Sequence, residues 1–318
     1  MSVFFSGAPP TRQLRQAEPQ PQPGAVLPPV RLELGPLPVA REYAVSSFWE
    51  ERPVGGAVQR NSIEKRFRLG ATRQSDGLVL SYRTVSPPVL RKLDPTALEK
   101  AVLLLAELYQ KLDIQATLDG RLVAVLNQAE VQHIWQGVRA ELIHRSGGED
   151  EVTQLLLNGV DEQLQLPQSL LTSLRYDYLF EFLLKNIYQQ RFESGQRYGQ
   201  ALVLPRFFTD ADVWCWERLE LTPPTDPNRV ALRLSGVLDR DRTDVTAVIQ
   251  QMLAAQAAGA PHTPAPAAPD PAHLRFAYEA AYEVDAATGW PVSAETSVRC
   301  WLPDVYSKEY FLRFELVS

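Results

Sequence analysis

Leu274-Arg275-Phe276-Ala277-Tyr278-Glu279-Ala280-Ala281-Tyr282-Glu283-Val284 is the stretch on which the fold turns. Phe276, Tyr278, Ala280, Tyr282 and Val284 recur at every second position, so an extended chain places them on one face. Asp285-Ala286-Ala287-Thr288-Gly289-Trp290-Pro291 follows. It reads as a turn, because Asp285 and Thr288 are turn formers and Gly289 supplies the backbone freedom a corner needs. Val292 to Leu302 and Tyr310 to Leu316 are then two further strands. Together they predict a β-meander that closes one edge of a large antiparallel sheet.

The chain before it supplies the rest of that sheet. Tyr43 to Glu50 is strand-like, Ile63, Lys65, Phe67 and Leu69 alternate, and Leu78 to Val85 follows a Ser75-Asp76-Gly77 hairpin signal. Pro87-Pro88 is expected to stop that strand. Asp94-Pro95 reads as a helix start, with Leu98, Val102, Leu105 and Leu112 at helical spacing after it. Ile114 to Leu118 and Leu122 to Leu126 alternate about Asp119-Gly120. Asn127 and Glu130 then resemble a capping box ahead of a helix ended by Gly147-Gly148.

Glu149 to Arg191 is expected to be helical in two pieces broken near Pro167. The second piece, Ser173 to Tyr188, is apolar on too many sides for a solvated surface and is expected to be surrounded by protein. Strands return at Val213 to Leu221 and Arg229 to Leu238, and a helix starts at Asp241 or Thr243. Hairpins dominate and no βαβ rhythm appears, so the class is α+β. The strands on either side of the helical middle must pair to hide their edges. The predicted architecture is therefore a large curved antiparallel sheet, an incomplete barrel, wrapped around central helices.

Two segments fall outside this pattern. Residues 1–40 are rich in Pro and Gln and read as a disordered arm, leaving 41–318 as one domain. Residues 257–271 read as a flexible Ala/Pro linker within that domain. The 318 residues carry 45% hydrophobic and 22% charged side chains, the composition of a soluble globular protein. A net charge of -6 argues against a dominant phosphate-binding role, so no nucleic-acid partner is expected. No apolar run is long enough to span a bilayer and the start, Met1 to Gly7, lacks the features of a signal peptide. The expected compartment is the cytoplasm, or the cell envelope if the start codon is mis-assigned.

Ile114 to Glu130, a strand, Asp-Gly turn, strand and helix start, and Tyr282 to Pro291, with its Thr288-Gly289-Trp290 corner, carry a resemblance. They resemble bacterial envelope proteins of uncharacterised function that share the pattern of the lipoprotein-carrier fold. The resemblance implies an incomplete antiparallel barrel around helices that is able to hold an acyl chain. It carries over no functional residue, and the missing export signal departs from the pattern.

Few chemical motifs compete for a site. His133, His144, His262 and His273 have no nucleophile in a recognised elbow. Glu149-Asp150-Glu151 fits a helix start better than a metal site, and Glu217 and Glu220 fall on opposite faces of a strand. No phosphate loop is present. Cys215 and Cys300 read either as a disulfide or, preferably, as two buried thiols.

No catalytic residue, metal ligand or cofactor is therefore assigned. The aromatic residues Tyr178, Phe182, Trp214, Trp216, Trp290 and Trp301 are the candidate ligand-binding set, with an ordinary core as the alternative. The leading expectation is a non-enzymatic binding protein that holds a hydrophobic ligand or a partner segment in the concave face of the sheet. A structural or secretion-associated adaptor and a hydrolase with a dispersed site are the rivals.

Overall fold

A computed structural model describes residues 27–92, 96–146, 151–209, 211–261 and 269–317. The first strands are β1 (Val30–Arg31), β2 (Arg41–Pro53), β3 (Gln59–Gln74) and β4 (Gly77–Leu90). Helix α1 (Ala97–Leu105), a short 3-10 turn, β5 (Lys111–Ala116) and β6 (Leu122–Val125) follow. The middle holds α2 (Gln128–Ser146), α3 (Glu151–Gln165), α4 (Pro167–Arg175), α5 (Tyr178–Leu183) and β7 (Arg191–Phe192). The last part is β8 (Arg197–Phe208), β9 (Ala211–Thr222), β10 (Arg229–Leu238), α6 (Val245–Gly259), β11 (Arg275–Asp285), β12 (Pro291–Leu302) and β13 (Tyr306–Val317).

Eleven of these strands form one antiparallel sheet in the order β6-β5-β4-β3-β2-β13-β12-β11-β10-β9-β8. The strands before and after the helical middle meet at β2 and β13, which pair from Glu42 opposite Val317 to Pro53 opposite Tyr306. The closing meander β11-β12-β13 thus lies inside the sheet rather than at its edge, because β10 flanks it on one side and β2 on the other. The edges are β6 and β8, and the sheet is curved but not closed into a barrel. Tyr278, Ala280, Tyr282 and Val284 of β11 are buried on its concave face, as their spacing requires.

Several local expectations change. Pro87-Pro88 does not end β4, which runs on to Leu90. Ser86 pairs with Arg66 and Val89 with Glu64, so the two prolines sit in a bulge where no ladder N–H is needed. Helix α1 is capped by Thr96, with Glu99 completing a capping box; Asp94-Pro95 lies outside the described residues. The Asn127 side chain accepts from the Asp113 N–H and donates to the Lys111 carbonyl, so it ties α2 to β5. The single helix expected over Ser173 to Tyr188 is divided. Tyr176 closes α4, and Asp177 turns extended and caps α5 by accepting from the Leu179 N–H.

The N-terminal arm expected over 1–40 is described from residue 27 onward, and there it packs. Leu32, Leu34 and Leu37 are buried, so the folded region begins before residue 41. This strap crosses the β11–β12 turn: the Gly35 N–H donates to the Thr288 carbonyl, and the Trp290 indole N–H donates to the Gly35 carbonyl. Gly289 has φ +73°, and a Cβ there would fall 1.9 Å from the Glu33 carbonyl oxygen, so only glycine fits both the turn and the strap. Helix α6 covers the opposite end. Its buried Gln256 both donates to the Val54 carbonyl and accepts from the Val54 N–H at 2.8 Å. Of the linker expected over 257–271, the first residues belong to α6, the last begin a 3-10 turn at Pro271, and 262–268 lie outside the described residues.

Candidate functional site

Helix α5 is the part of the helical middle that enters the hollow. Its Phe180 ring lies 5.5 Å from Tyr82 of β4, and Phe182 lies 6.4 Å from Tyr278 of β11. Tyr178 meets Tyr310 of β13 at 4.8 Å and Trp49 of β2 at 5.6 Å, and its hydroxyl donates to the Pro205 carbonyl of β8. Trp49 in turn packs on Phe207 and Tyr310. One short helix is therefore surrounded by rings from both halves of the sheet. Such rings contribute large buried areas and tolerate offset or tilted neighbours.

Beneath the rings lies a polar centre. Lys185, just beyond α5, is 1% exposed, and Glu217 of β9 is 0% exposed. Lys185 Nζ and Glu217 Oε1 are 2.8 Å apart. They meet as charges without satisfying hydrogen-bond angles, so both atoms retain bonding capacity. The ammonium also lies 5.5 Å from the ring centres of Phe182 and Tyr278. Gln200 of edge strand β8 donates to Glu217 Oε2 at 2.7 Å, and Gln190 donates to Gln200 Oε1 at 3.4 Å. A line of side-chain amides thus runs from the half-buried Gln190 to the buried carboxylate.

Among the buried hydroxyls, that of Tyr188 has no hydrogen-bond partner in the described structure, while Tyr282 and Thr296 approach each other and Tyr278 approaches Glu217 with imperfect geometry. Burial, and then the nearby Glu217 charge, push the Tyr278 and Tyr282 phenols well above the usual tyrosine range. The Tyr278 hydroxyl also lies within hydrogen-bonding reach of Glu217, which raises its phenol further. The Glu181 carboxyl is also raised: burial is the main cause, Lys185 opposes it and Glu217 adds to it. Leaving buried polar atoms unpaired costs about 1–3 kcal/mol each, and native interiors keep few of them.

The six aromatic residues singled out from the sequence do not form one groove. Tyr178 and Phe182 lie in the hollow. Trp290 is fully buried under the N-terminal strap. Trp214 and Trp216 occupy the β9 positions opposite in facing to the buried Val213, Cys215 and Glu217, so they are on the convex face. Trp216 is 43% exposed, Trp214 lies under the Arg242 guanidinium, and Trp301 lies beside Arg299. Cys215 and Cys300 are free and buried. Burial pushes each thiol up to about 12, and Glu217 adds to the effect at Cys215.

Sequence reasoning missed Lys185 and Glu217. The signal was present: Glu217 shares its facing with Val213, Cys215, Leu219 and Leu221, and Lys185 interrupts an apolar run. An acid and a base each out of pattern on separate elements point to an interior pair. His133, His144 and His273 are exposed, and His262 lies outside the described residues. Among the described residues, no group of three or more His, Cys, Asp or Glu side chains is placed to hold a metal. No described helix is long and apolar enough to cross a membrane. The chain matches no family model and no curated protein.

Proposed function

We propose that this chain is a non-enzymatic binding protein that holds an elongated hydrophobic ligand in the concave face of its sheet. The observation that carries the reading is the imperfectly satisfied polar centre beneath an aromatic plug. An interior selected only for stability replaces such atoms with apolar ones or pairs them fully. An interior that receives a ligand keeps a few convergent polar groups among rings and aliphatic side chains. Helix α5, six residues long, is the element that would yield. The resemblance of two turn segments to lipoprotein-carrier-like envelope proteins supports the same reading, since that pattern implies an acyl chain inside an incomplete barrel.

Titration with the neutral apolar dye Nile red tests it. A saturable blue-shifted emission at one dye per chain, competed by monolauroylglycerol, is the expected result. Emission that rises without saturation, or fails to respond to the competitor, would mean surface adsorption and would remove the reading.

A further inference from the structure

We infer that the Lys185–Glu217 centre is a seat for an uncharged, hydroxyl-bearing head group, reached past the β8 edge along Gln190 and Gln200. The inference rests on the binding function proposed above and adds the class of amphiphile.

Charge bookkeeping excludes the ionic alternatives. Lys185 and Glu217 are each almost wholly buried and 2.8 Å apart, so the ammonium is already neutralised by its carboxylate. A phosphate or carboxylate head at this centre would bring a further negative charge beside Glu217, where Lys185 is already paired. Glu181 stands beside the same pair and would only oppose an anion. A cationic head would find Glu217 already paired with Lys185.

The polar atoms of the centre call for a group that both donates and accepts. Glu217 is an acceptor, Lys185 Nζ is a donor with protons beyond the ion pair, and the hydroxyls of Tyr188, Tyr278, Tyr282 and Thr296 serve as either. A glycerol-like head offers several hydroxyls of matching character without net charge. The route is suggested by the amides: Gln190 and Gln200 are half-buried, and they connect to Glu217 through hydrogen bonds that another polar group is able to replace. Both lie where the turn after α5 meets the open edge of the sheet, the place where a chain would enter without breaking a strand pair.

Three amphiphiles with the same twelve-carbon chain test the assignment on the full protein: monolauroylglycerol, laurate and dodecyl phosphate, each below its micellar concentration, titrated by calorimetry. Monolauroylglycerol should bind at least about tenfold tighter than either anion. Tyr282→Phe keeps the ring and removes one hydroxyl, so it should narrow that preference. Glu217→Gln leaves the ammonium unmatched, and the order should reverse in favour of laurate. Anions that bind the wild type as tightly as the glyceride would overturn the head-group assignment and leave the hydrophobic-ligand reading standing. An unchanged preference in Tyr282→Phe, with a folded circular dichroism spectrum, would equally overturn it. Failure of all three to bind would remove the binding function itself.

Discussion

Glu181 lies four residues before Lys185 and shares its field with Glu217, and burial raises its carboxyl above the ordinary range. A raised acid binds a proton more readily in the folded chain than in the unfolded one, so its contribution to stability falls as pH rises from its ordinary value to its raised one. Glu181→Gln removes that dependence. The stability of the variant minus that of the wild type should therefore increase with pH across this window and level off above it. Denaturant titrations at a series of pH values give the difference directly, and a flat difference would show that Glu181 ionises as if in water. Taking the difference also cancels the salt-bridged acids Glu64, Glu99, Glu130 and Asp285, whose lowered pKa values act in the opposite sense. At this scale much of the site was open to reading from sequence. Two-residue alternation places Glu217 on the buried face and Glu220 on the exposed one. What alternation does not give is the partner, because Lys185 reaches Glu217 through a turn whose path depends on the whole sheet.

At the scale of elements, the division between α4 and α5 matters most. The sequence from Ser173 to Tyr188 is apolar enough to read as one helix, but a straight helix would carry its last turns past the hollow. Asp177 breaks it and restarts the chain, and Arg175 anchors the first piece by donating to the Leu122 carbonyl of β6. The second piece then points Phe180 and Phe182 at opposite flanks of the sheet. Phe182 is fully buried and stacks near Tyr278. Phe182→Ala should cost about 3–5 kcal/mol in urea unfolding with an unchanged m-value, the range for emptying a packed aromatic site. A loss below about 1 kcal/mol would take α5 out of the core. Other elements were less legible. Strand β8 escaped the sequence reading because Arg197 to Gln200 is polar and glycine-bearing, and Pro205 interrupts the alternation before Phe207. The β4 prolines misled for a physical reason, since a bulge removes the hydrogen bond that a proline cannot make.

At the scale of the molecule, the sheet is assembled from the two ends of the chain, and its open side faces the segment between them. The pairing of β2 with β13 was foreseeable, because strand groups fore and aft of a helical middle otherwise leave edges exposed. The end closures were not. The strap over 28–38 is proline-rich and looks unfit to pack, yet three leucines spaced along it seal the turn over Trp290. With one end closed by the strap and the other by α6, the way in that we propose is past α5 and the β8 edge. Hydrogen–deuterium exchange with and without saturating monolauroylglycerol tests that claim most directly. Residues 178–183 should exchange about tenfold faster or more when the ligand is bound, while the segment from Lys185 and strands β9 to β12 stay protected, because the ligand takes the place of the α5 rings. Unchanged exchange over 178–183 with ligand bound, or protection gained only on the convex face near Trp216, would contradict a binding site inside the sheet.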